Sequence, residues 1–131
     1  MNRFVCLCLV LALVCLLCSC SQVSVSENAA VSLTFVYNDI SIFQELTGDE
    51  AAQMISIFQG KTFDPFTMSV PSCGYTKDVS IKIGSQVFAV ACDTCNCVLH
   101  CATGRYITVS GEEISYIHAL FEKYGGMFPC V

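Results

Sequence analysis

The sequence predicts an α+β domain, a mainly antiparallel sheet of about four to five strands with two amphipathic helices packed on one face. Three observations carry this reading. Two segments begin with Thr or Ser followed three residues later by Glu, and continue with apolar residues at helical spacing. Several short runs alternate apolar and polar residues between Gly-bearing turns, as half-buried strands do. The resulting order, strand, helix, loop, hairpin, strand, helix, contains no long βαβ repeat and is best buried by laying both helices on one sheet face.

The elements follow in chain order. Residues 1–20 stand apart: one cation, Arg3, precedes an unbroken apolar run from Phe4 to Leu17, which closes in Leu17-Cys18-Ser19-Cys20 before polar Ser21-Gln22. A charged start, a short apolar stretch and small residues at its end describe an export signal. The run is shorter than the roughly 20 apolar residues a spanning helix needs. Its Leu-x-small-Cys ending is similar to a bacterial lipobox, with Cys20 at the lipidated position and Cys18 a departure from the pattern. The expectation is a lipid anchor on Cys20, or secretion after cleavage near Ser19–Ser21; both place the domain outside the cytoplasm. Residues 21–30 are small and polar and read as a tether, and residues 31–131 as one domain.

Val31, Leu33, Phe35 and Tyr37 alternate along a first strand, with Ile40–Phe43 as its continuation. Thr47 with Glu50 and Ser110 with Glu113 are expected capping boxes. The first helix carries Ala51, Met54, Ile55 and Phe58 on one face, the second Ile114, Ile117, Phe121 and Tyr124. Gly60 and Gly125-Gly126 are the expected helix stops. The two units match at the same offset, which a duplication would leave and which unrelated amphipathic helices also share. Between them, Asp78–Ile83 and Gln86–Cys92 flank Gly84-Ser85, a Gly-X link suited to a type II′ hairpin. If Ile83 faces Gln86, then Ile81 faces Phe88 and Val79 faces Val90, so the large apolar groups share one face and Cys92 joins them. Ala102-Thr103-Gly104 turns the chain into a further strand, Tyr106–Val109. Thr62–Ser72, with Pro65 and Pro71, is a loop.

Beyond the signal, five Lys or Arg (Lys61, Lys77, Lys82, Arg105, Lys123) face eleven Asp or Glu, a net charge of −6. That balance excludes nucleic-acid binding and polybasic docking on anionic lipid. Six cysteines follow Cys20: Cys73, Cys92, Cys95, Cys97, Cys101 and Cys130. In a small exported domain an even set reads as disulfides, with Cys73 and Cys130 expected to bond into the Cys92–Cys101 cluster. Two alternatives compete for the same thiols. Cys92, Cys95, Cys97, His100 and Cys101 offer enough donors for tetrahedral zinc, although they crowd one segment instead of forming two separated pairs. Cys92/Cys95 is a Cys-x-x-Cys after a strand, but Asp93 opposes a depressed thiol pKa and no βαβ unit surrounds it. No metal or other cofactor is assigned. Neither a phosphate-binding Gly loop nor a Gly-x-Ser-x-Gly elbow occurs.

Pro71-Ser72-Cys73-Gly74, Val87–Asp93 and Phe121–Cys130 resemble segments of small uncharacterised lipoproteins of Firmicutes-type bacteria. The resemblance spans roughly residues 70–131. It implies export and this fold, transfers no activity, and makes Cys97 and Cys101 additions to the pattern. The functional expectation is therefore eliminative: a non-enzymatic binding module, inhibitor-like or immunity-like, for a protein or peptide. Its contact surface is expected on the loop Phe63–Pro71, where Phe63, Phe66 and Met68 are apolar. The same side chains could equally cover a sheet edge. The alternative is a thiol redox or metal-handling protein built on the Cys92–Cys101 cluster.

Overall fold

The structure, a computed structural model, describes residues 8, 22–64, 74–93 and 95–128. Six strands form one open antiparallel sheet: β1 (Val31–Tyr37), β2 (Ile40–Leu46), β3 (Val79–Ile83), β4 (Gln86–Val90), β5 (Cys97–His100) and β6 (Arg105–Thr108). Their order across the sheet is β2-β1-β3-β4-β5-β6. Two helices, α1 (Gly48–Phe58) and α2 (Gly111–Lys123), complete the described elements. The α+β class is as the sequence predicts, and the strand count exceeds the expected four to five.

Both extra strands have a local cause. Ile40–Phe43 does not continue β1. The chain reverses through Asn38, at φ +50°, a left-handed position that Asn tolerates better than most residues. Ile40 then pairs back with Tyr37, and β2 runs on to Leu46 beside Val31. The second addition, β5, lies inside the cysteine run, where thiol spacing masked the alternation of Val98 and His100 against Cys97 and Leu99.

The predicted hairpin register is observed: Ile83 faces Gln86, Ile81 faces Phe88 and Ser80 faces Ala89. Gly84 sits at φ +60°, which only Gly adopts without cost, as the first position of a II′ turn requires. Since one residue of slip would invert the faces, this turn fixes which side of the sheet becomes the core. Val31, Leu33, Phe35, Ile81, Ile83, Phe88, Val98 and Ile107 are buried on that side, together with Met54 and Phe58 of α1 and Ile117 and Phe121 of α2. Phe58 meets Phe88 at 4.5 Å between ring centroids and Phe35 meets Phe121 at 6.1 Å.

The helix ends part company. Ser110 and Glu113 make the reciprocal capping box at α2. Thr47 makes no side-chain cap at α1, and the reciprocal half of the expected box is absent because the Glu50 carboxylate accepts instead from Lys123 Nζ and Tyr124 Oη, both at 2.6 Å. Glu50 therefore ties α1 to the end of α2. The Lys123 ammonium, first, and the Tyr124 hydroxyl hold its carboxyl below the ordinary range.

Residues 22–30 do not behave as a tether. Val23 is buried, donates to Lys61 O and accepts from Gly60 N. Val25 N donates to Gln59 Oε1, Gln86 Nε2 donates to Ser24 O, and Gly84 N donates to Ala30 O. The segment is short of apolar residues, yet Val23 and Val25 are two apart and share one side of an extended chain. Gln22 bridges Thr62, so the described chain is paired into the fold from residue 22 onward. Among the described residues no helix is long and apolar enough to cross a membrane.

Candidate functional site

The cysteine segment begins at Cys92, two residues past the end of β4, turns, and enters β5 at Cys97. Asp93 makes the turn: its Oδ1 accepts from Cys95 N at 2.9 Å, an Asx turn of the kind short acidic side chains form. Cys92 is buried and belongs to the core, as the hairpin register predicts. It also lines a cleft of about 150 Å³ with Val36, Tyr37, Thr76, Asp78, Val79 and Val90. Ligand pockets usually exceed about 300 Å³, so this cleft accommodates little more than a fragment.

Strand alternation disperses the remaining donors. Cys97 and Leu99 point to the side of the sheet away from the helices, whereas Val98 and His100 point into the helix-covered core. Cys97 Sγ lies 3.8 Å from Thr108 Oγ1. Cys101 follows in the turn, its Sγ 3.8 Å from Leu99 O. Tyr75, to which the sequence reading gave no role, covers this side. Its hydroxyl donates to Cys97 O at 2.9 Å and lies 3.7 Å from Cys95 Sγ. Its ring faces Tyr106 at 6.0 Å. Burial, and then the Cys95 contact, push the phenol well above its usual pKa. No periodicity marks Tyr75; only its place just after the Cys73-Gly74 pair could have singled it out.

His100 is a core residue. It stands between Phe63 and Phe88, at centroid distances of 5.0 and 5.2 Å. Its Nδ1 is 2.8 Å from Thr103 Oγ1, and its Nε2 is buried with no hydrogen-bond partner. Burial lowers its pKa. A zinc set drawn from Cys97, His100 and Cys101 would require groups on opposite sides of one strand to converge. Among the described residues no group of three or more His, Cys, Asp or Glu is arranged to hold a metal ion. No disulfide joins two described cysteines; Cys73 and Cys130, the expected partners, lie outside the described residues, as does Cys20.

Of the expected contact residues, Phe63 is half-buried against the core and stacked on His100. Its neighbour Asp64 exchanges two 2.8 Å backbone hydrogen bonds with Tyr106 of β6. Phe66 and Met68 lie outside the described residues. His118 and Glu113 are likewise engaged in the fold. His118 stacks on Phe128 at 4.1 Å, with Nε2 3.2 Å from Ala91 O; burial lowers its pKa against the opposing pull of that carbonyl. Burial alone would raise the Glu113 carboxyl, but Lys61 Nζ at 2.7 Å and the Ser110 cap outweigh it and lower the pKa. No family model, curated protein or solved structure matches the chain.

Proposed function

We propose that the protein is an extracytoplasmic binding module, lipid-anchored through Cys20 or secreted, which contacts a protein or peptide and performs no covalent chemistry. One observation supports this reading most: His100 and His118 are held in ring contacts inside the fold, and the Glu50 and Glu113 carboxylates are held in ion pairs with Lys123 and Lys61. In sequence only Ser21 separates Cys20 from Gln22, which is paired to Thr62. The Gln22–Thr62 bridge then brings the root of the Phe63–Pro71 loop to the anchored end, where an envelope partner would be met. Phe66 and Met68 are the proposed contacts, and Phe63 their support on His100.

The proximity of the Tyr75 hydroxyl to Cys95 favours a second reading, thiol chemistry at Cys95 with Cys97. Partner capture from envelope extracts separates the two. Wild type should retain a saturable partner, Phe66→Ala/Met68→Ala should lose it, and Cys95→Ser/Cys97→Ser should keep it. A partner kept by the loop variant, with thiol-dependent turnover lost in the Cys variant, would reverse the assignment.

A further inference from the structure

The edge strand β2 carries a pattern that the binding loop does not explain. Val36 N donates to Asp78 O, so in β1 the backbone groups of Val36 and its alternates Thr34 and Ser32 point toward β3. Those of Val31, Leu33, Phe35 and Tyr37 consequently point toward β2, where their partners are Leu46, Gln44, Ile42 and Ile40. The intervening residues of β2, Ser41, Phe43 and Glu45, therefore aim their N–H and C=O groups out of the sheet. All three are exposed, and β2 pairs only with β1 among the described strands. Phe43 is 75% exposed. Glu45 O accepts from its neighbour's Gln44 Nε2 at 2.7 Å, which leaves its second lone pair and its N–H.

The outward row is self-complementary. An antiparallel second copy of β2 centred on Phe43 brings Phe43 against Phe43 and Ser41 against Glu45, each an outward-facing pair able to exchange both backbone hydrogen bonds. Ile42 then faces Gln44 and Ile40 faces Leu46. No like charges meet: Glu45, the one ionisable residue of β2, lies opposite a serine hydroxyl. The features that protect natural sheet edges, a lysine, a proline or a bulge, are missing from this seven-residue strand. β2 is also the sheet edge opposite β6, the strand that Asp64 bridges at Tyr106.

We infer that β2 pairs with β2 of a second copy of this chain, in the antiparallel register centred on Phe43, to give a two-fold dimer with a continuous sheet. A single strand pair is smaller than a standard interface, so the dimer is weak in dilute solution and concentration-dependent. This inference is independent of the partner-binding loop and fails or stands without it.

The test uses the full chain, expressed with its own leader and recovered from the envelope in mild detergent. Light scattering should show the protein mass doubling as concentration rises, and amide exchange should slow at Ser41, Phe43 and Glu45 over the same range. Phe43→Lys and Ser41→Pro should both remain monomeric; the proline removes only an outward N–H, a change edge strands tolerate. Met127→Lys, at the other exposed large apolar residue, should dimerise like wild type. A protein that stays monomeric throughout, a dimer unaffected by Phe43→Lys and Ser41→Pro, or protection appearing elsewhere would each overturn the inference.

Discussion

Lowering the pH should destabilise this domain through His100 before the lowered carboxyls of Glu50 and Glu113 are protonated. The residue is only 7% exposed. In the neutral ring one nitrogen meets Thr103 and the other, Nε2, has no partner. Protonation would place a second N–H and a positive charge between Phe63 and Phe88 with no acceptor for Nε2, which is why burial lowers the pKa. A depressed histidine contributes stability that is fully present above its unfolded pKa, near 6.5, and is lost as pH falls below it. The slope is at most about 1.4 kcal/mol per pH unit for each such histidine. His118 is shifted the same way, so both histidines should contribute to a loss of stability as pH falls below 6.5. Glu50 and Glu113, both held below 4.5, add their losses only at lower pH.

His100→Phe isolates the contribution. It preserves an aromatic ring between Phe63 and Phe88, removes the orphan nitrogen, which costs about 1–3 kcal/mol, and gives up one hydrogen bond worth about 1 kcal/mol. At neutral pH the variant should be at least as stable as wild type. Its loss of stability as pH falls below 6.5 should be less steep than that of wild type. Urea unfolding followed by circular dichroism across this range reads both quantities. Equal slopes for the two proteins, or a variant clearly less stable at neutral pH, would refute the placement of His100 as a buried neutral ring.

Three further outcomes follow from the same geometry. Ser110→Ala should cost about 0.5–2 kcal/mol by removing a cap that is made, whereas Thr47→Ala should stay within about 0.5 kcal/mol because its cap is not; thermal unfolding of both decides it. Phe88→Ala, which empties the contacts to Phe58 and His100, should cost about 3–5 kcal/mol, and a loss below about 1 kcal/mol would mean that this ring is not central to the core. Non-reducing mass spectrometry of the exported protein should find at least two disulfides, with Cys73 and Cys130 each bonded into the Cys92–Cys101 segment. Six alkylatable thiols would instead return the cluster to metal or redox chemistry.

The parts of the fold legible in the sequence are those where two local signals agree. Gly84 and the alternation around it give the hairpin register; Ser110, Glu113 and the apolar stripe after them give α2 with its cap. The first helix was legible but its cap was not, since the same Glu50 has a stronger long-range claim from Lys123 and Tyr124. Composition misled at residues 22–30, where a few apolar side chains and many backbone hydrogen bonds hold a segment that looks like a linker. The cysteine run hid β5 because its spacing drew attention to sulfur and away from alternation. That alternation decides the candidate site, setting His100 on one side of the sheet and Cys97 on the other. Tyr75 was beyond reach, because its role depends on a contact twenty residues away in sequence.

The expected disulfides and the envelope partner both depend on the proposed extracytoplasmic address, so it is the claim to measure first. Cells expressing wild type or Cys20→Ala should be labelled with a palmitate analogue and fractionated. Two acyl chains hold a protein on a bilayer stably, so wild type should carry the label in the membrane fraction, and Cys20→Ala should lose the label and appear in the medium. Equal labelling of both proteins, or no labelling of either with the wild-type chain retained in the cytoplasm, would contradict the account.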